Sequence, residues 1–446
     1  MTRNPPLTSP DIVIVLAQAL TGLGHLRVSH ALYHGLPTGA HALLLSSQDT
    51  SINYMHKITS INPALRRVME FTQSGWAEDA FTWLARRYFR RNSGILEEQL
   101  QTILEQHIIK PKTLLVIATH TNLAHQLAGI KDDFARKNNI KIVLVVVVTD
   151  DSPQHVWAVG GADLIFVPSE YTKRQLERYH RSQKQLPPST YVVSPYLVSP
   201  NLGIELTDST LRRRKQQLDP KGLAAIHMAL PVSGAAVQLL YLEKIISELK
   251  HLSDRFIFHL VSQQSQATAP FLGTMIGKHN IELHVSTSHR RVVELYENLY
   301  DQEVVSLEIT KPSEQSFKAL LTPKQRGGAV LLFSDPVGRQ EWDNLRFLIR
   351  HSLLPSANEQ HQLWHEAAHG VVPSSELLLR SRSWRAVRLP PHSVASARFI
   401  WWCLEYGVFA HMGRFVGHQD SPELSSEGVT LFWKRISDYL EENLRY

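Results

Sequence analysis

The sequence predicts an α/β chain made of two doubly wound units. Three observations carry this reading. Short apolar runs alternate with helical patterns from the first dozen residues onward. The alternation stops between residues 195 and 222, where proline, serine and basic residues take over, and then restarts. The chain has 446 residues, too many for a single core. The expected division is therefore a first unit over residues 1–200, a connection over 201–222, and a second unit over 223–395. Aromatic-rich helices over 396–446 are expected to pack across both units.

In the first unit, DIVIVL at 11–16 reads as the opening strand and 26–36 as the helix after it. Further strands are expected at 42–45, 113–118, 141–149, 161–168 and 191–194. Residues 63–110 read as helical, and Ser169-Glu170 caps a helix over 171–180. In the second unit, strands are expected at 224–230, 256–261, 281–285, 304–307 and 329–333, with a helix over 237–250. Such runs, apolar along their whole length, are what a parallel sheet covered on both faces requires. The basic run at 212–215 reads as a solvated helix face.

Composition narrows the function classes. Hydrophobic residues make up 43% and charged residues 20%, ordinary values for a globular protein. A net charge of +6 is modest for this length. It does not argue for nucleic acid, and it suits an anionic substrate or an anionic membrane surface. A single cysteine, Cys403, excludes internal disulfides and a cysteine-built zinc site and suits a reducing compartment. The apolar run at 142–148 is too short to cross a membrane, and 12–20 reads as a first strand, not a leader. A cytoplasmic protein, peripheral on the inner face of a membrane, is the expectation.

Several stretches carry polar groups where ligands bind. TGLGH at 21–25 puts Gly22, Gly24 and His25 at a helix start, where glycines let backbone approach a ligand. Thr149, Asp150 and Asp151 end the strongest strand. DPVGRQEWDN at 335–344 sets Gln340, Glu341 and Asn344 on a glycine turn between a strand and a helix. WLARRYFRR at 83–91 interleaves aromatics with Arg86, Arg87, Arg90 and Arg91. It reads either as a solvated helix face with its aromatics in the core or as a helix lying on anionic lipid headgroups. HEAAH at 365–369 matches a zinc-hydrolase pattern, in which both histidines share a helix face.

Four stretches, taken in order, resemble a known family. Gly22-Leu23-Gly24-His25 with Ala31-Leu32 is similar to the GxGH…AL loop of the monogalactosyldiacylglycerol synthase family, which includes the processive diacylglycerol glucosyltransferases. Residues 147–169 resemble its VVTD…H…W…D…PS segment. Thr310-Lys311-Pro312-Ser313 resembles its TKxG loop, and residues 336–341 with Asn344 its PGQExxN loop. The resemblance implies a GT-B fold, with two Rossmann-like domains facing across a cleft. It also implies transfer of a sugar from a nucleotide-sugar, UDP-linked, to a lipid or other hydrophobic acceptor. Gly234, Lys311, Ser313, Glu314, Gln340, Glu341 and Asn344 would then bind the donor. His25 or Asp150 would take the acceptor proton, and Gly22, Gly24 and the four arginines would lie on the acceptor or lipid side. No cofactor or metal is implied, because helix termini and cations stabilise the diphosphate. The glutamate that the family places further along the TKxG segment has no counterpart at its position, and Glu314 is the carboxylate that could replace it. That departure keeps open a non-catalytic nucleotide-sugar-binding protein, with a UDP-sugar epimerase or hydrolase and a zinc hydrolase behind it.

Overall fold

The computed structural model describes residues 6–19, 23–46, 75–107, 110–232, 238–334, 336, 338–415, 417–418 and 421–444. The chain divides into two compact units, Met1–Ser199 with Ser421–Tyr446, and Pro200–Asp420. No helix among the described residues is long and apolar enough to cross a membrane.

The first unit holds a sheet of six parallel strands: β1 (Ile12–Gln18), β2 (Ala42–Ser46), β3 (Thr113–Ala118), β4 (Lys141–Val147), β5 (Leu164–Val167) and β6 (Thr190–Val193). Every residue of β1 and β3 is buried, as both-face burial of central strands demands. The strand order is β2-β1-β3-β4-β5-β6. The chain thus moves outward from β1 to β2, then crosses back to lay β3 on the other side of β1. Within residues 63–110, the described part forms two helices, Gly75–Arg91 and Gly94–Glu105, not one. Asn92 and Ser93 separate them, residue types that favour turns and caps over helix interior. Residues 63–74 lie outside the described set. The Gly428–Asn443 helix belongs to this unit. Trp433 donates its indole N–H to the Leu32 carbonyl at 3.0 Å, and Phe432 meets the Phe166 ring at 4.5 Å.

The second unit repeats the plan with β7 (Ile226–Pro231), β8 (Phe256–Gln263), β9 (Ile281–Ser286), β10 (Val305–Thr310), β11 (Ala329–Leu332) and β12 (Ala386–Arg388), in the order β12-β11-β10-β7-β8-β9. Here the reversal falls between β7 and β10. Strand β12, only three residues long, was not expected from sequence; pairing of Ala386 with Val330 and Val387 with Leu331 defines it. The Leu239–Leu252 and Ser393–Glu405 helices cover one face over a core that includes Phe256, Phe258, Leu260, Phe399 and Ile400.

The basic run is not a wholly solvated face. It lies on the Asp208–Leu218 helix, where Arg212, Arg213 and Lys215 are exposed but Arg214 is only 4% accessible. The Arg214 guanidinium donates to the carbonyls of Val305, Pro323, Gln325, Arg326 and Gly327 at 2.6–3.2 Å. Four of these carbonyls lie at 323–327, where no named strand pairs them, and the four N–H groups of the two terminal guanidinium nitrogens serve all five. Burial pushes the Arg214 pKa down to about 10, which leaves it charged at neutral pH. Arg214→Ala is expected to destabilise the second unit by about 3–5 kcal/mol, because a buried network is broken from one side. Arg212→Ala should change it by less than about 0.5 kcal/mol. Urea unfolding of the full chain followed by circular dichroism distinguishes the two.

Candidate functional site

In doubly wound sheets, ligands bind at the carboxyl ends of the strands where the order reverses. In the first unit that place lies beyond β1 and β3, and His25 stands there. It is in the first turn of the Leu23–His34 helix that follows β1. Its Nδ1 lies 2.7 Å from the Thr119 carbonyl, just past β3, and 3.3 Å from the Thr149 hydroxyl, just past β4. A ring nitrogen that meets a carbonyl must donate, so the neutral imidazole carries its lone pair on Nε2, the arrangement of a base. The His120 ring packs edge-on at 4.7 Å, and its Nδ1 accepts from the Asn122 backbone N–H at 3.3 Å. Ser29 and Thr119 share a hydrogen bond at 2.8 Å, and the Tyr196 hydroxyl donates to the Thr149 carbonyl at 3.1 Å. The two neighbouring aspartates have different surroundings. Asp151 is fully buried and accepts from the hydroxyls of Ser169 and Thr172. Asp150 is half-buried. Gly24 follows Leu23 in the same helix start; Gly22 lies outside the described residues. Thr119 and His120 were given no role from sequence. Their signal was a polar pair placed directly after the buried run TLLVIA.

The four arginines of the Gly75–Arg91 helix separate into two pairs. Arg86 is buried, donates to the His155 carbonyl at 3.1 Å and stacks over Tyr179 at 5.3 Å. Arg90 donates to the Gly160 carbonyl at 2.8 Å. Burial lowers the pKa of both guanidinium groups. These two hold the 155–160 segment. Arg87 and Arg91 are exposed, together with Trp83, Leu84 and Tyr88, whereas Phe89 is buried. The helix thus divides, with two arginines bound to backbone and two of the aromatics facing solvent.

In the second unit the order reverses beyond β7 and β10. The loop after β10 carries Lys311, Pro312 and Ser313, and the Arg339–Arg350 helix packs beside it. Lys311 Nζ lies 3.4 Å from Glu341 Oε1, with both side chains largely buried. Asn344, fully buried, donates its amide N–H to the Pro312 carbonyl at 3.1 Å. The tertiary structure thus joins two sequence stretches 30 residues apart through Lys311, Glu341 and Asn344. Gly338 caps the helix at φ +84°, a conformation that favours glycine. Gln340 in the first turn, Ser313 on the loop and Glu314 at the start of the helix after it are half-buried; Gly234 lies outside the described residues. The result is a helix N-terminus with a cation, two carboxamides and a carboxylate around it, chemistry suited to a diphosphate and sugar hydroxyls.

Below the loop lies a group that sequence reasoning missed. Lys318, in the short 3₁₀ helix Glu314–Leu320, is buried in an ion pair with Glu308 of β10. The Tyr296 hydroxyl donates to Glu308 at 2.7 Å, and Tyr300 donates to the same oxygen. Burial and the Glu308 charge raise the Tyr300 pKa well above its usual value. A glutamate inside the apolar run VSLEIT was the available signal. Lys318→Met alone is expected to cost about 3–5 kcal/mol, because it strands a buried carboxylate. Adding Glu308→Leu should recover a large part of that loss, which a denaturant double-mutant cycle measures directly.

HEAAH lies at the end of the Ala357–His369 helix, which packs on the core through Leu363 and leaves His365 and His369 exposed. The His365 and His369 rings share a face at 4.3 Å, and His369 Nδ1–H donates to the His365 carbonyl at 2.8 Å. Among the described residues, no third metal-ligating group converges on this pair.

No family model matches the chain, and no curated protein matches it. Among solved structures, a putative UDP-N-acetylglucosamine 2-epimerase from Listeria monocytogenes superposes with a TM-score of 0.51 at 11% identity, over 97% of each chain. With the two parallel sheets above, that decides the architecture. The chain has the two-domain, Rossmann-like GT-B fold. UDP-GlcNAc 2-epimerase from Neisseria meningitidis, bound to UDP-GlcNAc, matches with a TM-score of 0.47 at 12% identity, over 97% of this chain and 100% of that one. MurG from Acinetobacter baumannii matches with a TM-score of 0.43 at 12% identity, over 97% and 100%. Neither of the last two adds to the argument, and at these identities the likeness concerns the fold and not the reaction.

Proposed function

We propose that this chain is a glycosyltransferase that takes a nucleotide-sugar, UDP-linked, and delivers the sugar to a lipid or other hydrophobic acceptor, as its resemblance to the monogalactosyldiacylglycerol synthase family implies. The observation that carries the reading is the joining of Lys311, Glu341 and Asn344 at the strand-order reversal of the second unit. In the reaction, the acceptor oxygen forms a bond to the anomeric carbon as the bond from that carbon to the diphosphate oxygen breaks. The leaving diphosphate takes the electron pair and is stabilised by Lys311 and the N-terminal N–H groups of the Arg339–Arg350 helix. The acceptor proton goes to His25 Nε2, which the Nδ1 contact to Thr119 keeps in the accepting tautomer. Gln340 and Glu341 take the sugar hydroxyls.

Calorimetry of the full chain against a panel of nucleotide-sugars, followed by turnover with the best binder, tests this. Gln340→Ala is expected to weaken donor binding about tenfold, or roughly 1.4 kcal/mol. His25→Ala should leave donor affinity unchanged and lower kcat by about 10²–10⁴-fold. If no nucleotide-sugar binds, the reading fails. Binding without turnover supports the second reading, a non-catalytic nucleotide-sugar-binding protein. That reading is favoured by Ala319, which stands where the family places the glutamate that holds the ribose hydroxyls.

The lipid part of the proposal rests on the exposed Trp83, Leu84, Arg87, Tyr88 and Arg91. The double charge reversal Arg87→Glu with Arg91→Glu is expected to abolish co-sedimentation with anionic liposomes. Undiminished co-sedimentation of that variant would reject a lipid role for this helix.

A further inference from the structure

Three histidines and a glutamate that no motif connects meet on adjacent strands of the second sheet. His227 lies on β7, His259 on β8, and Glu282 and His284 on the edge strand β9. His259 and Glu282 are register partners, and Glu282 and His284 are two residues apart, so they share a face. The intervening Ile281 and Leu283 pack on the apolar core, which leaves this stripe on the other face.

We propose that His259, Glu282 and His284 bind a divalent transition-metal ion, zinc before others. His259 Nδ1 lies 3.3 Å from His284 Nε2 and 3.2 Å from Glu282 Oε2, and the last two atoms are 4.0 Å apart. A tetrahedral ion with ligands at about 2.0–2.2 Å holds its donors roughly 3.3–3.6 Å from one another. The three atoms therefore need to shift by only tenths of an ångström. Without an ion, His259 Nδ1 faces both a second imidazole nitrogen and a carboxylate, and a single proton must serve both. A cation takes all three lone pairs at once.

The second ring nitrogen supports the assignment. His259 Nε2 lies 2.9 Å from His227 Nδ1, and the two rings stack at 5.1 Å. When Nδ1 binds the ion, Nε2–H donates to His227, the orienting contact that metal-binding histidines need. Glu303 lies 3.4 Å from His227 Nδ1 and Arg213 3.4 Å from its Nε2. His259 is fully buried, whereas the Glu282 side chain is 54% accessible. An ion from solution can therefore enter on the β9 side, and three protein ligands leave a position for water. His259 and Glu282 lie in the first halves of their strands, away from the carboxyl ends where the donor loop lies. The ion would fasten the edge strand β9 to β8, and the proposal does not depend on the nucleotide-sugar reading.

The test is calorimetric titration of chelator-stripped full-length protein with zinc chloride alone, with cobalt(II) absorption as a second probe. One ion per chain is expected, accompanied by a rise in melting temperature. His284→Ala should abolish that site and its cobalt spectrum. Glu282→Gln, at an exposed position that the fold tolerates, should weaken binding at least tenfold, and His227→Gln by about 10–100-fold. His365→Ala with His369→Ala should leave it unchanged. Absence of stoichiometric binding, unchanged affinity in both His284→Ala and Glu282→Gln, or loss of the ion on changing His365 and His369 would each overturn the proposal.

Discussion

Parallel strands cannot be joined by tight turns. Each must hand the chain to a crossover before the next strand is laid down. That constraint governs both units. A sheet that grows outward from its first strand on one side and then on the other must reverse once. At the reversal the two crossovers leave in opposite directions, and the carboxyl ends of two adjacent strands stay uncovered. In the first unit these are β1 and β3, and in the second β7 and β10. His25 and Thr119 follow the first pair, and Lys311 follows β10. The chemistry-bearing residues therefore stand where strand order leaves a place for them.

The second unit holds its loops with buried ions. Arg214 gathers five carbonyls of the 305–327 region, Arg385 donates to the Leu321 carbonyl at 2.8 Å, and Lys318 pairs with Glu308. Burial lowers the Arg385 pKa to about 9, with the Arg214 charge acting in the same direction. Such groups contribute little net stability, because desolvation offsets most of the attraction. What they supply here is position. The segment from Lys311 to Gly328 contains no strand, and the carbonyls of Leu321, Pro323, Gln325, Arg326 and Gly327 take donors from these guanidinium groups. The donor-loop geometry at Lys311 and Pro312 thus rests on charges beneath it.

Eleven of the twelve strands among the described residues were legible, the central ones because a parallel strand buried on both faces is written as an apolar run, such as IVIVL or KIVLVVV. Strand β12 was not, because three residues carry no period and only pairing with β11 makes AVR a strand. Of the candidate site, His25, Lys311, Glu341 and Asn344 were legible as polar residues at strand ends or glycine turns. Thr119, which fixes the His25 tautomer, was not. Its contact joins residues 94 positions apart. The arginine-rich helix misled for a related reason. Its sequence shows charges and rings but not which of them the 155–160 segment will take up, and that segment took Arg86 and Arg90.

The sequence by itself determined the α/β class, the two-unit repetition and the places where polar loops follow buried strands, since these depend on local periodicity and composition. The tertiary structure alone decided which distant groups meet. Arg214 became a buried donor, His365 and His369 remained exposed, and His227, His259, Glu282 and His284 came together. The physical reason is that each parallel crossover puts a helix and its loops between neighbouring strands. Residues 25 and 32 positions apart can then share one face at hydrogen-bond distance, and no spacing in the chain announces it.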